Sequence, residues 1–319
     1  MTHYDVFNGD ADGICALTQL RNADPRESTL VTGVKRDIEL LGRVQAREGD
    51  SIAVLDLSMD KNKVALKAAL AAGADVFYCD HHFAGDIPES PRLTHLIRTE
   101  PDVCTSILID GHLRGAFPEW AAVGAFGDNL SAGAELLARP PGLTERSLER
   151  LRDLGVYINY NAYGSSLDDL HFAPADLYRS VSVHPSPFGF MEDGRDIFER
   201  LERGYRDDMA AAAAVKAERA DAAGAVFILP DEAWARRVSG VYGNGLANDN
   251  PDRGHAILTE KANGNYLVSV RAPLNDRTGA GELCMRFPTG GGREAAAGVN
   301  DLPAEMLDDF VDQFSAFYR

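Results

Sequence analysis

Three apolar runs near the start of the chain stop at acids or imidazoles. Tyr4-Asp5-Val6-Phe7 leads into Asp10-Ala11-Asp12-Gly13, Ser51-Ile52-Ala53-Val54-Leu55 into Asp56, and Val76-Phe77-Tyr78-Cys79 into Asp80-His81-His82. Short β-rich runs at Tyr4 to Phe7, Ser28 to Thr32, Ile52 to Leu55, Val76 to Cys79 and Leu93 to Ile97 alternate with helical stretches. Those stretches are Gly13 to Arg21, Lys61 to Ala72 and Thr105 to Leu113. The alternation predicts an α/β fold with a mostly parallel sheet flanked by helices. In a parallel sheet the carboxyl ends of the strands share one edge, so these acids and imidazoles converge on one crevice.

The rest of the chain is organised differently. Pro140-Pro141-Gly142 punctuates it, and Thr144 caps a helix reaching about residue 160. The three prolines between Ala173 and Gly189 read as a loop region, and the alanine-rich stretch Asp193 to Ala223 reads as a long helix ended by Gly224. Beyond it, Val226 to Leu229, Val238 to Val241, His255 to Thr259 and Tyr266 to Arg271 read as strands. Tyr242-Gly243-Asn244-Gly245 and Asn248-Asp249-Asn250 read as turns, Ala295-Ala296-Ala297-Gly298 as a helix start, and Pro303 to Phe317 as a closing helix. The expected organisation is a metal-binding domain over 1–190, a connecting helix over 191–224 and a smaller mixed α/β domain over 225–319.

Charge bears on the partner. A net charge of −17 and the lack of any basic run disfavour a long nucleic acid, whose binding relies on many Lys and Arg contacts. No run of about 18 apolar residues predicts a membrane span, and Met1 to Asp5 has no signal-peptide character, so a cytoplasmic protein is expected. Cys15, Cys79, Cys104 and Cys284 are widely spaced within apolar segments and are expected to be small buried core residues. Whether the chain forms a homodimer is open at this stage.

Asp10 and Asp12 flank a turn into a helix, Asp56 ends a second strand, His81 offers a nitrogen, and Asp128 in Gly124-Ala125-Phe126-Gly127-Asp128 adds a carboxylate. A mixed oxygen and nitrogen shell suits Mn²⁺, Co²⁺ or Mg²⁺ better than structural zinc. Two such ions roughly 3.5 to 4 Å apart would activate water and stabilise charge in a phosphoryl displacement.

These motifs, in this order, resemble the DHH phosphoesterases of the DHH/DHHA1 subfamily. Asp10 and Asp12 match the family's first motif, Asp56 its second, Asp80-His81-His82 its third and Asp128 its fourth. Gly290-Gly291-Gly292-Arg293-Glu294-Ala295-Ala296-Ala297-Gly298 is similar to the glycine-rich DHHA1 signature, and Ser269-Val270-Arg271 to the strand before it. The resemblance implies a DHH domain joined by a long helix to a DHHA1 domain. It also implies two ions, Mn²⁺ foremost, on Asp10, Asp12, Asp56, His81 and Asp128, with Asp56 bridging them. His82 would face the substrate phosphate, Asp80 would support the fold or orient a ligand, and Gly290, Gly291, Gly292, Arg271 and Arg293 would hold the nucleotide.

Two positions depart from the family pattern. Val6 stands where many members have a histidine, which weakens or hydrates one ion's shell, and Arg293 replaces the signature histidine while keeping a donor for phosphate. The expected activity is hydrolysis of short linear nucleotides, such as pGpG or other dinucleotides, to 5′-mononucleotides. A RecJ-like exonuclease, a small-nucleotide phosphatase and a non-catalytic nucleotide sensor are the alternatives.

Overall fold

The computed structural model describes residues 1–138 and 143–319, so Pro140-Pro141-Gly142 lies outside the described residues. The chain divides into two compact units, Met1–Glu202 and Arg203–Arg319. Among the described residues no helix is long and apolar enough to cross a membrane. All four cysteines are buried free thiols, as their apolar flanks led one to expect.

The first unit opens with β1 (His3–Phe7), α1 (Ala11–Ala23), β2 (Thr29–Val31), β3 (Ser51–Leu55), α2 (Met59–Ala71), β4 (Asp75–Asp80) and β5 (Leu93–Ile97). The five strands are parallel, in the order β2-β1-β3-β4-β5. Because the chain leaves β1 for β2 on one side and returns to β3 on the other, the topological switch point lies between β1 and β3. A crevice is expected at the carboxyl ends there. Val6, Ile52, Val54, Val76 and Tyr78 pack with Met59, Leu66 and Ala69 of α2, burying one face of the sheet.

The unit continues through α3 (Thr105–His112), α4 (Pro118–Gly127), α5 (Ser131–Leu137), α6 (Glu145–Ala162), α7 (Pro174–Ser182), α8 (Pro187–Asp193) and α9 (Arg195–Ala213). Thr144 caps α6, its hydroxyl accepting from the Ser147 amide at 3.1 Å. The expected loop from Ala173 to Gly189 is instead two helices. Pro174 and Pro187 begin them, at positions where the missing N–H has no intrahelical partner to lose. The long helix also ends earlier than its alanine content suggests. Past Ala213 the chain turns, and Arg219 and Ala220 are captured as an edge strand, a tertiary pairing that overrides helix propensity.

The second unit holds β6 (Arg219–Ala220), β7 (Gly224–Leu229), α10 (Ala233–Asp249), β8 (Gly254–Glu260), β9 (Tyr266–Arg271), α11 (Ala280–Cys284), β10 (Gly290–Gly292), β11 (Ala296–Leu302) and α12 (Leu307–Phe317). Its sheet runs β10-β11-β9-β8-β7-β6, with β7 and β8 parallel and the other pairs antiparallel. Gly224 therefore starts a strand and does not cap a helix.

Three further elements differ from their expected form. Val238 to Val241, read as a strand, and Tyr242 to Gly245, read as a turn, both lie in α10. Ala235, Val238, Val241 and Tyr242 recur at helical spacing on its buried face, a periodicity that four residues are too few to display. Ala296 to Gly298 form a strand and not a helix start, because they pair with Arg271, Val270 and Ser269 of β9.

Val226, Leu258, Val268 and Val270 form the core of this unit with Leu283, Phe287, Phe310 and Phe314. Phe314 is fully buried. Truncation to alanine removes its transfer energy and leaves a cavity. Phe314→Ala is expected to lower stability by about 3–5 kcal/mol, read as a lower urea midpoint at unchanged slope.

Candidate metal centre

Strand order decides which side chains meet. Asp10, at the end of β1, caps α1 by accepting from the Gly13 amide at 3.0 Å. Asp12 lies in the first turn of α1 and is fully buried. Its two oxygens accept from the Thr105 and Ser106 amides, each at 2.7 Å, at the amino end of α3. The Ser106 hydroxyl donates to the Asp12 carbonyl at 2.8 Å. A side chain at Gly124 would come within 2.2 Å of that hydroxyl, so only glycine lets α4 pass close enough to deliver Asp128 to the same edge.

Asp56 ends β3 in a left-handed conformation, φ 58°, which is uncommon for a non-glycine residue and concentrates at functional sites. Its amide donates to the Cys79 carbonyl at 3.1 Å, tying the end of β3 to the end of β4. His81 follows β4. Its Nδ1 lies 2.8 Å from the Val103 carbonyl, so Nδ1 carries the proton and Nε2 presents its lone pair. Nε2 lies 3.4 Å from Asp56 Oδ1, 3.5 Å from Asp128 Oδ2 and 3.9 Å from Asp12 Oδ2. One imidazole nitrogen and three carboxylates held this close together are an arrangement that a cation stabilises. Three oxygens and one imidazole suit a divalent ion of the Mn²⁺ or Mg²⁺ type.

Asp80 has a different task. Its Oδ1 lies 2.8 Å from His82 Nδ1, and the carboxylate is fully buried while His82 is partly exposed. The acid holds the imidazole by Nδ1, which leaves Nε2 on the far side of the ring. His82 Nδ1 also lies 3.9 Å from Asp56 Oδ1, so the ring stands beside the carboxylate cluster.

One functional side chain went unread in the sequence. Lys35 follows β2, and since β2 neighbours β1 its ammonium meets Asp10 Oδ2 directly. It also donates to Asn159 Oδ1 at 3.0 Å and lies 3.4 Å from Asp128 Oδ1, above the Tyr163 ring. Burial disfavours the charged form, but Asp10, Tyr163 and Asp128 outweigh it and hold the ammonium well above its ordinary pKa. A search for acids and imidazoles passes over this residue. The readable signal was a cation just after a strand of the same parallel sheet.

The candidate residues of the second unit are placed as follows. Arg271 Nε donates to Asn244 Oδ1 at 2.6 Å, its Nη1 to Ser269 Oγ at 3.0 Å and its Nη2 to the Gly240 carbonyl at 3.3 Å, so the guanidinium binds β9 to α10. Gly290, Gly291 and Gly292 form β10, antiparallel to β11. A side chain at Gly290 would overlap the Cys284 carbonyl at 1.7 Å, which gives that glycine a packing role, whereas Gly291 faces open space. Arg293 is exposed, and its amide donates to the Ala296 carbonyl at 2.9 Å.

No family model and no curated protein sequence matches the chain. Solved structures do. A DHH-domain protein described as a member of a ribosomal protein family superposes with a TM-score of 0.65 at 13% identity, over 99% of this chain and 86% of that one. The chain has the DHH-domain fold. Exonuclease RecJ bound to manganese matches the same fold with a TM-score of 0.63 at 16% identity, over 99% of this chain and 90% of that one. A pGpG-specific phosphodiesterase from Vibrio cholerae matches at 0.58 and 16% identity, covering 100% of this chain and 99% of that one.

Burial pushes the Asp56 carboxyl well above its ordinary value, and Asp10, Asp12, Asp128 and Asp80 push it further. Asp12 is raised by burial and then by Asp128, with His81 partly opposing. A carboxyl with a raised folded-state pKa stabilises the fold at low pH. That contribution is lost as pH climbs from about 4, the unfolded value, through the raised one. Asp56→Asn removes one of the repelling charges from the DHH fold and keeps a residue type that tolerates positive φ. It is expected to stabilise the metal-free protein at pH 8 by on the order of 1 kcal/mol, with a smaller gain at pH 5. The same substitution should abolish the rise in Tm that Mn²⁺ gives the wild type, measured by thermal denaturation at both pH values.

Proposed function

We propose that the protein is a divalent-metal-dependent phosphodiesterase that hydrolyses short linear nucleotides, dinucleotides such as pGpG among them, to 5′-mononucleotides. The observation that carries the reading is His81 Nε2, fixed by the Val103 carbonyl and facing Asp12, Asp56 and Asp128 at the carboxyl edge of a DHH fold. Mn²⁺ is the proposed ion, with Mg²⁺ or Co²⁺ able to substitute. A bound divalent ion supplies Lewis acidity for in-line attack of water on phosphorus.

The chain's own groups do the rest. Asp12, Asp56 and Asp128 concentrate negative charge that only a cation neutralises, and the Val103 carbonyl fixes the His81 tautomer. Asp80 holds the His82 ring so that Nε2 addresses a phosphate oxygen. In hydrolysis the new bond joins water oxygen to phosphorus, the bond from phosphorus to the 3′ oxygen breaks, and that oxygen leaves with a proton. In the second unit, Gly291 and Arg293 are proposed to contact the nucleotide, and Arg271 braces β9 against α10.

The acidic chain favours short substrates, because a long polyanion is repelled by a net charge of −17. The matching fold of a pGpG-specific phosphodiesterase along its full length supports the same size class.

Purified protein with Mn²⁺ is expected to convert 5′-phosphorylated dinucleotides to mononucleotides, followed by chromatography, and to leave long single strands intact. Processive degradation of long single-stranded DNA would favour a RecJ-like exonuclease. Binding of dinucleotides without turnover in any divalent ion would make the protein a sensor. Asp80→Asn is expected to lower kcat by roughly 10- to 100-fold while Mn²⁺ binding is retained, since it releases His82 without touching the His81 cluster.

A further inference from the structure

We propose that Lys35 permanently occupies one of the two cation positions of this centre, so that the protein binds a single divalent ion per chain. The inference rests on the metal-dependent reading above and sharpens it.

The geometry around Lys35 is that of a built cation site. The backbone is held on both sides, its amide donating to the Ala162 carbonyl at 2.9 Å and its carbonyl accepting from Asn8 Nδ2 at 3.2 Å. An ammonium has three N–H donors, and three oxygens surround this one, from Asp10, Asn159 and Asp128, with the Tyr163 ring 5.4 Å away.

The carboxylates sort themselves accordingly. Asp10 accepts from the Gly13 amide with one oxygen and from Lys35 with the other. Asp128 turns Oδ1 to Lys35 and Oδ2 to His81 Nε2, so it is the carboxylate that spans both positive positions. Asp12 and Asp56 approach His81. The acids thus divide between a fixed ammonium and the surroundings of His81, where Asp56 with His82 and Asp12 with Asp128 offer ligand atoms.

The residues of the first strand fit this division. Val6 brings no ligand atom to the edge, and Asn8, two positions on, anchors the Lys35 backbone. A second divalent ion would have to displace a lysine held by two carboxylates, an amide oxygen and an aromatic face. An ammonium supplies a fixed charge and no Lewis acidity, so it neutralises Asp10 and Asp128 without activating water. On this arrangement Asp56 serves one ion.

Metal content after equilibrium dialysis against Mn²⁺, with elemental analysis, tests the proposal together with Mn²⁺ electron paramagnetic resonance. Wild type is expected to hold one ion per chain with a mononuclear spectrum. Lys35→Ala, or Lys35→Gln should the smaller side chain fail to fold, is expected to hold two and to show spin coupling between them. Two ions or a coupled spectrum in wild type would overturn the proposal and leave the metal-dependent reading standing. One ion in both wild type and variant would overturn it as well, because Lys35 would then displace nothing. No bound ion in either protein would instead remove the metal-dependent reading on which the proposal rests.

Discussion

Like-charge repulsion at one edge of a parallel sheet is the constraint around which the first unit is organised. Asp10, Asp12, Asp56 and Asp128 are buried or nearly so within one small region. Burial and mutual repulsion both push the Asp56 carboxyl upward. Such a cluster persists only with cationic or N–H partners, and the surrounding structure supplies several. The amino end of α3 gives Asp12 two amides, the amino end of α1 gives Asp10 one, and Lys35 gives Asp10 and Asp128 an ammonium. The remaining carboxylate charge gathers around His81 Nε2, within 3.9 Å of Asp12, Asp56 and Asp128.

The fold makes that convergence inexpensive in chain length. Parallel strands in the order β2-β1-β3-β4-β5 bring five carboxyl ends to one edge, so neighbours in the sheet become neighbours in the site. Lys35 meets Asp10 because β2 lies beside β1, and Asp56 meets His81 because β3 lies beside β4. Asp128 arrives from a helix, and the absence of a side chain at Gly124 allows α4 close enough. The left-handed backbone at Asp56 shows that positioning prevails over local preference at this point.

Legibility differed between the two units. The strands of the first unit were readable because each is a short apolar run bounded by polar residues, and the structure extends most of them by only a residue or so. The second unit resisted reading where alanine and glycine dominate. Ala296 to Gly298 became a strand, and Val238 to Val241 part of a helix, because small side chains carry a weak periodic signal and pairing or packing decides their state. Pro174 and Pro187 misled in the opposite sense, marking helix starts where prolines had suggested a loop.

The sequence by itself determined the class of fold and the chemical character of the site. Strand runs ending in Asp10, Asp12, Asp56 and Asp80-His81-His82 are legible as residues, and alternation with helices makes the sheet parallel. Only the tertiary structure decided how those groups divide their work. Asp80 turns to His82, and His81 to the carboxylates, because the Val103 carbonyl fixes one ring and the Asp80 carboxylate the other. Lys35 entered the centre through strand adjacency, between residues 25 positions apart in the chain. Spacing in sequence carries no record of which strand lies beside which, and that order governs which charges touch.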